Sequence, residues 1–251
     1  MLSFNEYEEK KVQLQEGLKA EDYEAAIVIG WHKNNRKKIK SPEEVGINPG
    51  VYKTLLKSPE ALKAGELIAK AIAKRFGNKN AKAEQYGRAK SSLTAFWKSH
   101  GATDTTPKTD ILIGKQRLSL KIGLAQLMSG GQAESLATFY AALKTTPKLK
   151  SDPQFKKVNK IFESFVKSTL APGQLRPIIK KGTNPVVNAA EKAHKDCMKE
   201  LGMLFEKSPD FQIAFAREAM SGYEKYGKDS NSAAEFMVVA SADGKKVSIH
   251  S

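Results

Sequence analysis

TDILIGKQRLSLKIG, Thr109–Gly123, is the stretch on which the fold turns. Apolar and polar residues alternate on both sides of Gly114-Lys115-Gln116-Arg117, the pattern of two short strands joined by a turn. Pairing Ile113 with Leu118 sets Leu112 opposite Ser119, Ile111 opposite Leu120 and Asp110 opposite Lys121. Ile111, Ile113, Leu118, Leu120 and Ile122 then share one apolar face, and Asp110, Leu112, Ser119 and Lys121 share the other. Opposed Cβ atoms lie about 5 Å apart, so the carboxylate and the ammonium can act on one bound phosphate.

A pair of this kind suits phosphodiester hydrolysis. A carboxylate such as Asp110 holds a hard divalent cation, usually Mg²⁺, through oxygen. The cation polarises the phosphate and activates water, while a lysine such as Lys121 offsets the developing charge. On spacing alone the plainer account is a cross-strand ion pair on an exposed sheet face, worth a fraction of a kcal/mol.

Outward from the hairpin, most of the chain reads as helix. Ser58–Phe76 has a capping serine, Pro59 at its first position, apolar residues at Leu62, Leu67, Ile68 and Ile72, and Gly77 as a stop. A second helix is expected from about Ala81 to Ser99, with Tyr86, Leu93, Phe96 and Trp97 as its apolar stripe. Another runs from Ser129 to Thr145, where Ser129 and Gln132 match a capping box. Gly130 and Gly131 bare its first N–H groups for a phosphate, with Ser129 beside them. Helices follow around 153–169, 185–206 and 209–221. Glu235–Ser251 closes the chain as a second hairpin with a two-residue turn at Asp243-Gly244. The fold class expected is α+β or α/β, mostly helical with a small mixed sheet.

Residues 1–57 read as a basic N-terminal extension, and 58–251 as the helical and β domain. The 42 Lys and Arg against 27 Asp and Glu give a net charge of +15, a balance that points to a polyanion, DNA first. Lys33, Arg36, Lys37 and Lys38 in the run His32–Lys40, with Lys115 and Arg117 in the hairpin turn, are the candidate phosphate contacts. The same basic run also reads as a plain solvated face.

One cysteine, Cys197, excludes a disulfide framework and a thiolate zinc site. The apolar run Ala25–Ile29 is too short to span a bilayer, and the polar N-terminus does not read as a signal peptide. The expected location is therefore the cytoplasm of a host cell, or a virion. No phosphate-binding glycine loop of the nucleotide-binding kinds occurs. His194 and Cys197 are three apart on a helix, but two ligands do not make a metal site. Glu218, Tyr223, Lys225 and Tyr226 form a mixed aromatic and charged patch, read as the cover of a hydrophobic edge.

The hairpin resembles the core motif of the restriction-endonuclease-like, PD-(D/E)XK, nuclease superfamily. That motif has an acid on one strand, acid-x-Lys on the next, a helix after them and an acid on a preceding helix. Pro107 and Asp110 stand in "PKTD", and Ser119-Leu120-Lys121 stands where acid-x-Lys belongs. The resemblance implies a restriction-endonuclease-like core and a Mg²⁺-dependent deoxyribonuclease, with Asp110 as metal ligand and Lys121 as charge stabiliser. It makes Glu84 the candidate helix acid, Glu66 the second choice, and Gln126 the polar residue that some branches carry after the hairpin. Ser119 departs from the motif, leaving the metal to Asp110, the Leu120 carbonyl and another acid.

Two further segments, Ala125–Ser135 and Arg217–Gly227, look like parts of large tailed-phage proteins. They imply a phage-encoded, DNA-associated role. The alternatives are a non-catalytic virion protein that binds DNA, or a helical assembly protein with an acidic partner.

Overall fold

A computed structural model describes residues 18–77, 80–87, 92–123, 131–167 and 185–251. The chain is mixed α+β, mostly helical with one five-stranded sheet. It divides into two compact units, one of residues 1–91, 106–127 and 229–251, the other of residues 92–105 and 128–228. The boundary expected at 57/58 falls inside the first unit.

In the first unit, helix α1 (Ala20–Asn34) contains the apolar run that opens the basic segment. Asp22 accepts a hydrogen bond from Lys19 N at 2.7 Å and fixes the helix start. Tyr23, Ala25, Ala26, Ile27, Val28 and Trp31 are all fully buried. At the far end Trp31 Nε1 donates to Ala81 O at 3.0 Å, and His32 Nε2 lies 2.9 Å from Ala83 O. The described part of the 1–57 segment, residues 18–57, is therefore not an appended arm. Its helix is the centre of a core, because the apolar run had no other face to bury.

A short helix, α2 (Pro49–Leu55), leads to α3 (Pro59–Phe76), which ends at Gly77 in the left-handed conformation as its sequence requires. Helices α1 and α3 meet through glycines. A Cβ on Gly65 would lie 2.3 Å from the Ala26 carbonyl carbon, and one on Gly30 would lie 2.6 Å from Glu66 Cα.

The sheet has strand order β1 (Ala83–Gln85), β2 (Ile111–Ile113), β3 (Gln116–Ile122), β4 (Phe236–Ala240), β5 (Val247–His250). Neighbours are antiparallel except β3 and β4, which run parallel. Ile111, Ile113, Leu118, Leu120 and Ile122 join the core of α1 and α3, as the alternation required.

The register departs from expectation by two residues. Ile111 pairs with Leu118, Leu112 with Arg117 and Ile113 with Gln116, so the turn is Gly114-Lys115 alone. Gly114 has φ 61°, which lets a two-residue turn close and draws Gln116 and Arg117 into β3. A shift of two preserves facing, so every side chain keeps its expected side while its opposite partner changes. At the second hairpin Ala240 pairs with Val247, and Ser241 N donates to Lys246 O at 2.9 Å. The loop is therefore four residues, not two. Asp243 organises it by accepting from Ser241 Oγ at 2.6 Å and Lys245 N at 3.0 Å, bonds that bring its carboxyl down to about 2.

The helix expected over 81–99 does not form. Ala83–Gln85 is strand β1 in the first unit, and Ala95–Ser99 is a short helix, α4, in the second. Ala, Lys and Glu in this stretch are good helix formers, but the open edge of β2 offers Ala83–Gln85 a full ladder partner.

The second unit is helical: α4, α5 (Gln132–Thr145), α6 (Pro153–Lys167), α7 (Pro185–Lys207), α8 (Pro209–Ser221) and the single turn α9 (Tyr223–Tyr226). Helix α5 begins after Gly131, three residues later than expected. Phe139 sits at the centre of the core, stacked on Phe155 at 4.9 Å and touching Phe162 and Phe211 at 5.2 and 5.4 Å. Cys197 is buried in this core, and burial pushes its thiol up to about 11, as suits a packing residue.

The patch read as an edge cover contains a fully buried cation. Lys225 Nζ lies 3.1 Å from Asp104 and 3.4 Å from Glu134, with no exposed surface. Glu134 also accepts from Trp97 Nε1 at 2.7 Å, so α4, α5 and α9 are tied together by one polar cluster. Thr94 starts α4 by accepting from Trp97 N at 3.2 Å and donates to Glu224 O at 2.6 Å. Thr94→Ala is expected to lower unfolding stability by about 1 kcal/mol, the ordinary cost of a lost cap. Urea unfolding followed by Trp97 fluorescence tests this; an unchanged midpoint would show that the cap contributes nothing.

Candidate metal and phosphate site

Asp110 lies just before β2, beside β3. Its backbone N donates to Leu118 O at 2.8 Å. Its Oδ2 accepts from Leu120 N at 2.6 Å and from Ser119 Oγ at 3.3 Å. Leu118 turns its backbone toward β2, and alternation turns the N–H and C=O of Leu120 the same way. There β2 has not yet begun, so both Leu120 groups are directed to the Asp110 edge.

Burial raises the Asp110 carboxyl above the usual range, opposed by the nearby Lys121 charge and then by the Leu120 and Ser119 hydrogen bonds. Two-residue slippage has moved Lys121 from directly opposite Asp110 to the next position on the same face. The two still act on each other electrostatically, as the shift in Asp110 records.

The second acid is Glu24 on α1. Its Oε2 accepts from Gln85 Nε2 at 3.0 Å, and the same nitrogen lies 3.2 Å from Glu21 O. Burial pushes Glu24 up to about 8, and the Asp110 charge adds to the rise. Lys121 acts in the opposite sense. Helix α1, the start of β2 and the middle of β3 therefore bring Glu24, Asp110 and Lys121 into one electrostatic group.

Glu84 is not part of this group. It sits on β1, not on a helix, and pairs with Lys82 near solvent. Glu66 lies on α3, bound to Lys33 at 2.8 Å and Lys70 at 3.5 Å, in a groove with Ile29 and Leu62. Sequence reasoning passed over Glu24 and Gln85. The available signal was an acid set within an otherwise apolar run, Tyr23 to Trp31, where a charge has to have a reason to be tolerated.

The basic candidates are dispersed. Lys33 is held by Glu66, Lys37 donates to the Asn80 and Ala81 carbonyls, and Arg117 donates to Ser230 O at 2.7 Å. Arg36, at φ 54°, and Lys38 are exposed beyond α1, and Lys115 is exposed on the hairpin turn. Gln126 and Ser129 lie outside the described residues.

The donor set suits a hard cation. Two carboxylates that repel each other, plus a main-chain carbonyl directed to the same edge, are oxygen ligands of the kind Mg²⁺ takes. Among the described residues no group of three or more His, Cys, Asp or Glu side chains is placed to hold a metal.

The raised Glu24 carboxyl makes stability depend on pH. It holds its proton to about 8 when folded and to an ordinary 4.5 when unfolded. Between those values the folded state carries the extra proton, so stability falls as pH rises through this window. Glu24→Gln is expected to remove that slope. Melting temperatures of variant and wild type at about pH 5 and about pH 8.5 test this: the variant's advantage must grow with pH, and a constant difference refutes the assignment.

No family model matches the chain, and neither a curated protein nor a solved structure matches it. No helix among the described residues is long and apolar enough to cross a membrane.

Proposed function

We propose that the first unit is a Mg²⁺-dependent nuclease core of the restriction-endonuclease-like kind, acting on DNA. One observation carries the reading: Glu24, Asp110 and Lys121, far apart in sequence, act on one another electrostatically at the edge of β3. The chain order supports it: Glu24 on helix α1, Asp110 just before β2, and Lys121 on β3 two residues beyond Ser119. The net charge of +15 supports a polyanionic substrate. The tailed-phage resemblance of two segments fits a phage-encoded enzyme.

In this reading Glu24, Asp110 and the Leu120 carbonyl would hold the cation. When bound, it polarises a phosphate oxygen and lowers the pKa of a water. Gln85 orients Glu24 through its amide, and Ser119 and Leu120 N–H fix the Asp110 carboxylate. Lys121 places a positive charge beside the scissile phosphate, where negative charge builds up as the bond breaks. Burial raises both carboxyls, and a bound cation would oppose that rise by favouring their charged forms.

Supercoiled and linear DNA incubated with Mg²⁺, Mn²⁺ or EDTA test the proposal. Metal-dependent cutting that Asp110→Asn and Lys121→Ala both abolish supports it, and cutting that survives both sinks the site. One observation favours a second reading, a DNA-binding virion protein that has lost catalysis: Ser119 supplies a hydroxyl where a second strand carboxylate belongs. Binding without cutting under any metal selects that reading.

A further inference from the structure

Among the described residues, the second unit presents lysines that are in no ion pair. Lys148 and Lys150 lie on the 3-10 turn Pro147–Ser151, and Lys156 and Lys160 lie on the outer side of α6. All four are exposed, and none forms an ion pair among the described residues. The nearby carboxylates are already engaged. Asp152 binds Lys207 at 2.6 Å, Glu200 binds Lys157 at 2.7 Å, and Glu163 accepts from Tyr140 at 3.0 Å.

The inner side of α6 accounts for its apolar residues. Phe155, Val158 and Phe162 are buried in the helical core. The exposed large apolar side chains among the described residues are Leu56, Met198, Met203 and Ile213, none of them on the turn or on α6. A face with several unmatched cations and no exposed apolar anchor lacks what membrane insertion or a stable protein interface needs. It fits a regularly charged polymer contacted through its phosphates. Lys156 and Lys160 are one helical turn apart, about 6 Å along the axis. Lysines act there as point charges, which suits binding without regard to sequence.

We propose that Lys148, Lys150, Lys156 and Lys160 form a docking surface for the phosphate backbone of duplex DNA. The surface gives the protein a hold on DNA separate from its candidate catalytic group. The identity of the polymer as DNA rests on the nuclease reading.

The test uses the full chain with all four lysines changed to Gln. A second variant, Lys53, Lys57, Lys63 and Lys74 to Gln, removes the same charge from exposed positions of the first unit. Binding of a fluorescent duplex is measured in EDTA across a salt series. The surface variant is expected to bind about 10- to 100-fold more weakly at low salt. Its slope of log K against log salt should fall by about 0.9 for each phosphate no longer neutralised, roughly 3 to 4 in all. The control variant should change both much less. Equal losses in the two variants, or an unchanged slope in a surface variant whose circular dichroism is native, overturn the proposal. So does wild type that binds anionic phospholipid vesicles but no DNA. Wild type that binds through these lysines yet never cuts with any metal overturns the nuclease reading and leaves the surface standing.

Discussion

Asp110→Asn is expected to lower Mg²⁺-dependent DNA cleavage roughly 10³-fold, and Lys121→Ala roughly 10²- to 10³-fold, with DNA binding in EDTA little changed. The sizes follow from what each group does. On the proposed nuclease reading, losing the central carboxylate would remove a cation ligand, while losing the lysine would remove one preorganised charge from the transition state, typically worth about 10²- to 10³-fold. The asparagine keeps the shape of Asp110, and its carbonyl can still accept from Leu120 N and Ser119 Oγ. Only the charge is lost.

A second readout does not depend on turnover. Saturating Mg²⁺ should stabilise the wild type against unfolding, by about 2.7 kcal/mol at a hundred times the dissociation constant. Asp110→Asn and Glu24→Gln should lose most of that gain, whereas Glu84→Gln should keep it, because Glu84 pairs with Lys82 instead. Equal stabilisation of all four proteins would falsify the site.

Gly65→Ala is expected to be among the most damaging substitutions in the first unit, costing about 3 kcal/mol or more and lowering its melting temperature by roughly 10 °C. The added methyl would meet Ala26 carbonyl carbon and oxygen at 2.3 and 2.4 Å. These are backbone atoms of α1, which cannot rotate aside as a side chain would. Helix α1 must move away from α3, and with it Glu24 leaves its place beside Asp110. Cleavage should therefore fall together with stability. Gly202→Ala in α7 is the contrasting case, since nothing lies within 4 Å of the position where its Cβ would be. There alanine should stabilise by up to about 1 kcal/mol through helix propensity alone. Calorimetry of both variants decides the matter: similar shifts in the two would show that the helix crossing tolerates a side chain at Gly65.

The two glycines illustrate what can be read locally. In the sequence both are merely poor helix formers in helical stretches. Whether another backbone lies against them depends on residues about 40 positions away for Gly65, as Ala26 shows. Glu24 had the same problem. Its role is set by Gln85 and Asp110, which reach it only through the packing of α1 on the sheet. Glu84 looked like the helix acid because Ala83–Gln85 is made of helix formers, and only the open edge of β2 makes it a strand.

By itself the sequence determined the helix Pro59–Phe76 with its glycine stop, helices α5 to α8 of the second unit to within a few residues, and the two faces of the central hairpin. Those features depend on periodicity, capping and turn chemistry, which act over a few residues. It also placed Asp110, Ser119 and Lys121 on one side of that hairpin, since a two-residue slip leaves facing unchanged. The tertiary structure decided the register, the burial of α1 in a core instead of an arm, and that Glu24, not Glu84, is coupled to Asp110. Each of these is a competition between partners distant in the chain, settled by which surfaces can bury each other.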